Sequence, residues 1–171
     1  MGQSWSDMRK QLEETNICQS LKGRIQYFAT RYKKSHDEEG RVAIRLDGQE
    51  VLKSCFYDWY RKRYKAEDSF VLPAGKLGYW EYFDLINIET HNLAGFDQYG
   101  FYKAFYQYQN HSIEENLACP DPIVRLFTIL DKRVGKRRLK RILPEVESQP
   151  EWLQFFYQLR LKSEGILSPD M

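Results

Sequence analysis

Between Ser112 and Leu143 the chain carries its clearest helix start and stop signals together with its densest charge, and this stretch constrains the fold more than any other. Ser112 followed by Glu115 makes a capping box, in which each side chain meets a backbone N–H that the first helical turn would leave unpaired. That helix must end near Pro120. Asp121-Pro122 then restarts the chain, because Asp is a good N-cap and proline at the first helical position gives up an N–H that had no partner. Ile123, Leu126, Phe127 and Leu130 follow at helical spacing and predict a buried stripe. After Gly135 come Lys136, Arg137, Arg138, Lys140 and Arg141, with Leu139, Ile142 and Leu143 interleaved on the opposite face. The stretch reads as two or three short helices in succession, the last strongly basic.

The rest of the chain carries weaker but consistent signals. Ser4 with Asp7 opens a helix running to about Thr15, with Trp5, Met8 and Leu12 on one face. Gly23 to Lys34 alternates as a strand, with Ile25, Tyr27 and Ala29 on one side, and Ser35 to Gly40 is a polar turn. Arg41 to Leu46 alternates with Val42, Ile44 and Leu46 inward. Asp47-Gly48 supplies the left-handed pair of a type I′ hairpin, and Gln49 to Phe56 returns as the partner strand. Tyr57 to Lys65 reads as a helix, followed by a loop through Pro73, Gly75 and Gly78. Helices are also expected from Tyr79 to about Asn92, and from Gln98, capped by Asp97, to about Asn110. The last starts at Pro150, with Trp152, Phe155, Phe156 and Leu159 on its buried side and Gly165 closing it. The expected fold class is therefore α+β, as a single domain over 1–171. A three-stranded antiparallel meander covered by an N-terminal helix occupies 1–65, and a C-terminal helical array occupies 79–167.

At 171 residues such a chain can bury roughly two-thirds of its unfolded surface. With 12 Tyr, 10 Phe and 4 Trp, much of that core must be ring against ring. No apolar run approaches the roughly 18 to 20 residues of a membrane span, and the N-terminus is polar from its second residue, which predicts a soluble cytoplasmic protein with no membrane partner. Gly2 with Ser6 fits the myristoylation pattern, which is short enough to arise by chance. Cys18, Cys55 and Cys119 form no C-x-x-C pair, and His36, His91 and His111 have no histidine three or four residues away, so no metal site is expected. Gly75-Lys76 lacks the preceding half of a phosphate loop, and no cofactor is expected.

Charge is distributed unevenly. Residues 132–141 hold seven cations and no acid, leaving 19 of the 26 Lys and Arg to face all 24 Asp and Glu, a net of −5 elsewhere. A basic patch on an acidic body attracts something anionic. The expected function is a non-enzymatic interaction protein, adaptor or immunity-like, docking an acidic protein partner through Lys132, Arg133, Lys136, Arg137, Arg138, Lys140 and Arg141. The alternatives are nucleic-acid binding through the same face, which Arg61, Lys62, Arg63 and Lys65 would extend, and an enzyme whose site the sequence does not reveal. Asp58, Glu81 and Asp84 are carboxylates that aromatic neighbours can desolvate, and Cys119 is a thiol near a helix start. Each has a simpler structural reading. Tyr99, Tyr102 and Tyr106 share a helical face and read as core or half-buried covering rather than a stacking ladder for bases.

Trp5-Ser6 with Met8-Arg9-Lys10, Leu21 to Arg24 with Tyr27 and Thr30, the hairpin at Asp47-Gly48, and Leu130 to Leu139 together resemble a small family of uncharacterised bacterial proteins. The resemblance covers nearly the whole chain. It implies a bacterial cytoplasmic setting and brings neither a reaction nor functional residues.

Overall fold

The computed structural model describes residues 2–31, 34, 40–71 and 75–170. Helix α1 (Trp5–Lys10) starts where Ser4 Oγ accepts from the Asp7 amide, and a π-turn (Gln11–Thr15) extends it. Strands β1 (Ile25–Arg31), β2 (Gly40–Leu46) and β3 (Gln49–Cys55) form an antiparallel meander in that order. Asp47 and Gly48 sit at φ 51° and 83°, the paired left-handed conformations of a type I′ turn, and Arg24 clasps the Asp47 carboxylate with two 2.9 Å bonds. Of the expected polar turn before β2, Ser35 to Glu39 lie outside the described residues.

The helices follow as α2 (Phe56–Ser69), α3 (Tyr79–Asn92), α4 (Gln98–Asn110), α5 (Ile113–Leu117), α6 (Pro122–Ile129), α7 (Lys136–Ile142) and α8 (Glu151–Ser163). Each expected cap is in place: Asp97 accepts from Gly100, Ser112 and Glu115 form the reciprocal box, and Asp121 accepts from Ile123. Gly165 closes α8 at φ 70°. Where Leu93-Ala94-Gly95 ends α3, the left-handed residue is Ala94 (φ 61°). Gly95 serves a different purpose, since a Cβ there would lie 2.9 Å from both Lys62 Cβ and Thr90 Cγ2.

The sheet presents Ile25, Tyr27, Val42 and Ile44 to the helices, where they join Met8 and Leu12 and the rings of α4 and α6 in one core. Phe127 is its centre: Tyr27, Phe101, Phe105 and Tyr108 all meet its ring at steep angles, with centroids 5.6–6.5 Å away. The inner face of the meander is thus covered by α4 and α6 as well as by α1.

Several expectations are corrected. Helix α2 runs to Ser69 rather than Lys65. On α8 the buried side is Leu153, Phe156, Tyr157, Arg160 and Leu161, while Phe155 is 42% exposed. Phe156 is buried and Trp152 and Leu159 pack partly buried against the core as expected, so Phe155 alone departs, while Arg160 on the inner face breaks the apolar periodicity. Tyr99 and Tyr106 are exposed and only Tyr102 is half-buried against Trp5, because the core side of α4 belongs to Phe101, Ala104, Phe105 and Tyr108. The basic segment is divided between a turn and a helix. Asp131 to Gly135 forms a turn, so Lys132 and Arg133 precede α7.

That turn is held from inside. Arg160, 2% exposed, donates to the carbonyls of Ile129 (3.0 Å), Asp131 (2.9 Å) and Val134 (2.8 Å) and to Glu164 Oε1 (3.1 Å). The carbonyls ending α6 have no helical partner of their own, and a guanidinium meets several of them at once. The Asp131 carboxylate, fully buried, accepts from the Tyr108 hydroxyl and from the Arg133 amide and guanidinium. The amides of Cys18 and Lys132 bond across to Leu130 and Asn16, closing the N-terminal segment onto the same turn. Replacing Arg160 by Leu removes the donor that meets the carbonyls of Ile129 and Val134 and leaves Asp131 and Glu164 with one donor fewer, and should cost about 3–5 kcal/mol by chemical denaturation. Arg160→Lys, keeping a charge and three donors, should lose less.

Candidate functional site

Two features outside the core concentrate polar side chains. The first is the basic face. Leu139 and Ile142 fix the orientation of α7 by burying one side, which turns Lys136, Arg137, Lys140 and Arg141 outward. Arg138 and Arg141 grip opposite oxygens of Glu114 at 2.7 and 2.6 Å, and Arg138 also caps the Arg133 carbonyl. The Arg138 hydrogen bond, then Arg141, hold the Glu114 carboxyl below its ordinary pKa. Arg133 is committed to Asp131, which raises its own pKa further. Of the seven expected site residues, Arg133, Arg138 and Arg141 are therefore ion-paired within the chain, the last two sharing the one charge of Glu114. Lys132, Lys136, Arg137 and Lys140 are exposed and have no ion-pair partner among the described residues. Gly135, Arg137, Arg138, Lys140 and Arg141 line a concave surface with Glu114 at its edge. Of the possible extension on α2, Arg61 pairs with Asp58, Lys62 donates to the Ala94 carbonyl and Arg63 pairs with Glu67, while Lys65 is exposed.

The second feature, which sequence reasoning missed, is a cavity of about 360 Å³. Helix α3 lines it from Phe83 to His91, α4 and its cap from Asp97 to Gln107, and the segment before α6 from Cys119 to Asp121. Trp59, Phe83, Ile88 and Tyr99 supply apolar walls. Asp84 and Lys103 form an ion pair there at 2.5 Å. His91, 4% exposed, is hydrogen-bonded through Nδ1 to Asp121 Oδ1 at 3.1 Å. Asp97 Oδ1 accepts from the Gly100 amide at 2.8 Å. Desolvation raises the Asp97 pKa, outweighing the capping amide and the attraction of His91 and Arg63. The Gln107 side-chain oxygen is buried with no hydrogen-bond partner. Asp97 and Asp121 were legible as helix caps and His91 as a lone histidine. Their convergence was not, because it depends on how α3, α4 and α6 pack.

The other sequence candidates carry less. Asp58 is subject to burial, which raises a carboxyl, but hydrogen bonds from Cys55 and Arg61 win and hold it low. Burial pushes the Cys119 thiol up, the opposite of an activated nucleophile. Glu81 bonds the Gly78 amide as part of the α3 cap. Among the described residues no three His, Cys, Asp or Glu side chains converge to hold a metal ion, and no helix is long and apolar enough to cross a membrane.

Residues 4–161 match the SF0329 protein family, from the cap of α1 into the last turns of α8. The chain belongs to this family. The match encloses both the basic face and the cavity, so both lie within the SF0329 unit. No curated protein and no solved structure matches the chain.

Two predictions follow from the cavity geometry. A Cβ on Gly100 would lie 2.9 Å from His91 Nε2 and 3.1 Å from Asp97 Oδ1. Although alanine is favoured over glycine in a helix by roughly 0.5–1 kcal/mol, Gly100→Ala should destabilise by about 1–3 kcal/mol in a denaturant titration. Because the folded-state pKa of Asp97 is raised, its contribution is most favourable below the ordinary aspartate range and is lost as pH rises through the raised value. Asp97→Asn, which keeps the capping oxygen, should therefore gain in melting temperature relative to wild type between about pH 3 and pH 7.

Proposed function

We propose that the chain is a non-enzymatic bacterial cytoplasmic interaction protein, adaptor or immunity-like, that docks an acidic segment of another protein on the face of α7. The observation that carries this reading is the saturation of Glu114. Glu114, which lines the concave surface, is already shared between Arg138 and Arg141, and Lys132, Lys136, Arg137 and Lys140 have no ion-pair partner among the described residues. The two arginines, held by Glu114, are ordered before a partner arrives, which lowers the entropy lost on docking.

A compact acidic segment fits better than a nucleic acid. Helix α7 has seven residues and spans about 10 Å at 1.5 Å per residue, short of the track of phosphates that a polyanion presents. Exposed Glu145 and Glu147 follow it directly and would repel a backbone continuing past the patch.

The test is fluorescence anisotropy with a labelled Asp/Glu-rich peptide, a single strand and a duplex of equal charge. The peptide should bind more tightly than either nucleic acid and more weakly as salt rises from about 50 to 200 mM. Lys136→Glu, Arg137→Glu and Lys140→Glu together should weaken it at least about tenfold while the melting temperature stays within about 2 °C. Unchanged peptide binding by the triple variant, or preference for nucleic acid, overturns the proposal.

A further inference from the structure

The two arginines on Glu114 already form an anion clamp, and the carboxylate between them uses only part of it. Arg138 gives it one bond, from Nε to Oε1 at 2.7 Å, and Arg141 gives one, from Nη2 to Oε2 at 2.6 Å. A guanidinium carries five N–H groups and grips an anion best through two of them at once. The one further hydrogen bond of either arginine among the described residues runs from Arg138 Nη1 to the Arg133 carbonyl. Two oxygens met by two separate arginines leave half of each fork idle. A group with three terminal oxygens engages more of both.

Charge points the same way. Arg137, Arg138, Lys140 and Arg141 line the concave surface against the single carboxylate of Glu114, four cations to one anion. Glu114 is also easily exchanged. Its side chain is 53% exposed, and ion pairs so open to water contribute little to stability. It belongs to α5, so its departure leaves the backbone of α7 in place, and Arg138 stays tethered by the Arg133 carbonyl.

We propose that the clamp receives a phosphorylated side chain of the acidic segment that docks on α7, its phosphate taking the place of the Glu114 carboxylate between Arg138 and Arg141. The proposal rests on the docking reading and narrows the partner from an acidic segment to a phosphorylated one. Arginine suits this anion because its planar fork matches a pair of phosphate oxygens, and the phosphate's near-double charge answers the excess of cations. A phosphate carried by a segment fits better than a free ion. Lys132 and Lys136 do not line the concave surface and are exposed without an ion-pair partner among the described residues, which leaves charge for further acids of the same segment. Glu114 thereby acts as an internal competitor that the phosphate displaces.

The test is fluorescence anisotropy of the full chain with one labelled Asp/Glu-rich peptide carrying serine, glutamate or phosphoserine at its centre. The phosphoserine peptide should bind at least about fivefold more tightly than the glutamate peptide, with the serine peptide weakest. Arg138→Lys with Arg141→Lys, which keeps both charges but not the forks, should remove that preference. Glu114→Gln should tighten phosphoserine binding at least about threefold, and more than it tightens serine binding, with the melting temperature within about 2 °C of wild type. Inorganic phosphate should compete far less well than the unlabelled phosphopeptide at equal concentration. No advantage of phosphoserine over glutamate, a preference that survives the double lysine variant, no gain in Glu114→Gln, or equal competition by inorganic phosphate each overturn the proposal. Selectivity of the wild type among the three peptides decides by itself if a variant does not fold. Binding of the glutamate peptide without a phosphoserine advantage leaves the docking on α7 intact, whereas failure of every peptide to bind removes both.

Discussion

The Arg160 guanidinium is the interaction on which the rest of the structure depends. Placing a charge in the core is costly unless its donors find acceptors, and here four of the five N–H groups do, three on backbone carbonyls and one on Glu164. The carbonyls belong to the end of α6 and the turn after it, so α8 and that turn are held in a single arrangement. The Asp131 side chain extends the network to Tyr108 on α4, and the bridge between Ile17 and Asp131 extends it to the N-terminal segment. Four parts of the chain distant in sequence are joined at one turn.

The basic face inherits its shape from this turn. Arg133 is drawn back to neutralise Asp131, which leaves the exposed cations on one side of a short helix instead of around a long one. Arg138 and Arg141 then close on Glu114, giving the patch a rigid cationic rim with the lysines and Arg137 beyond it. The same economy that stabilises the fold thus selects which cations remain for a partner.

The cavity arises from a different constraint. Asp97 and Asp121 are both helix caps, and because α4 and α6 begin against the same stretch of α3, the caps converge beside His91. Gly100 is what allows the first turn of α4 to approach the imidazole so closely. Carboxylates that serve locally as caps thereby come to line one shared space, where burial raises the Asp97 pKa.

Much of the architecture could be read directly from residue order. The caps at Ser4, Asp97, Ser112 and Asp121 and the Asp47-Gly48 hairpin are local chemistry, decided by hydrogen bonds within a few residues, and each is found where it was expected. Helix ends set by tertiary contacts were less legible, as at Ser69, and so was the buried side of α8, where an inward arginine disguises the core face. Which cations are free and which are spent depended on partners up to 27 residues away, such as Glu114 for Arg141. The cavity was not visible in the sequence at all. Local sequence determines where elements begin and turn, because those energies are short-ranged; the charges left unpaired and the space left unfilled are decided only when distant elements meet.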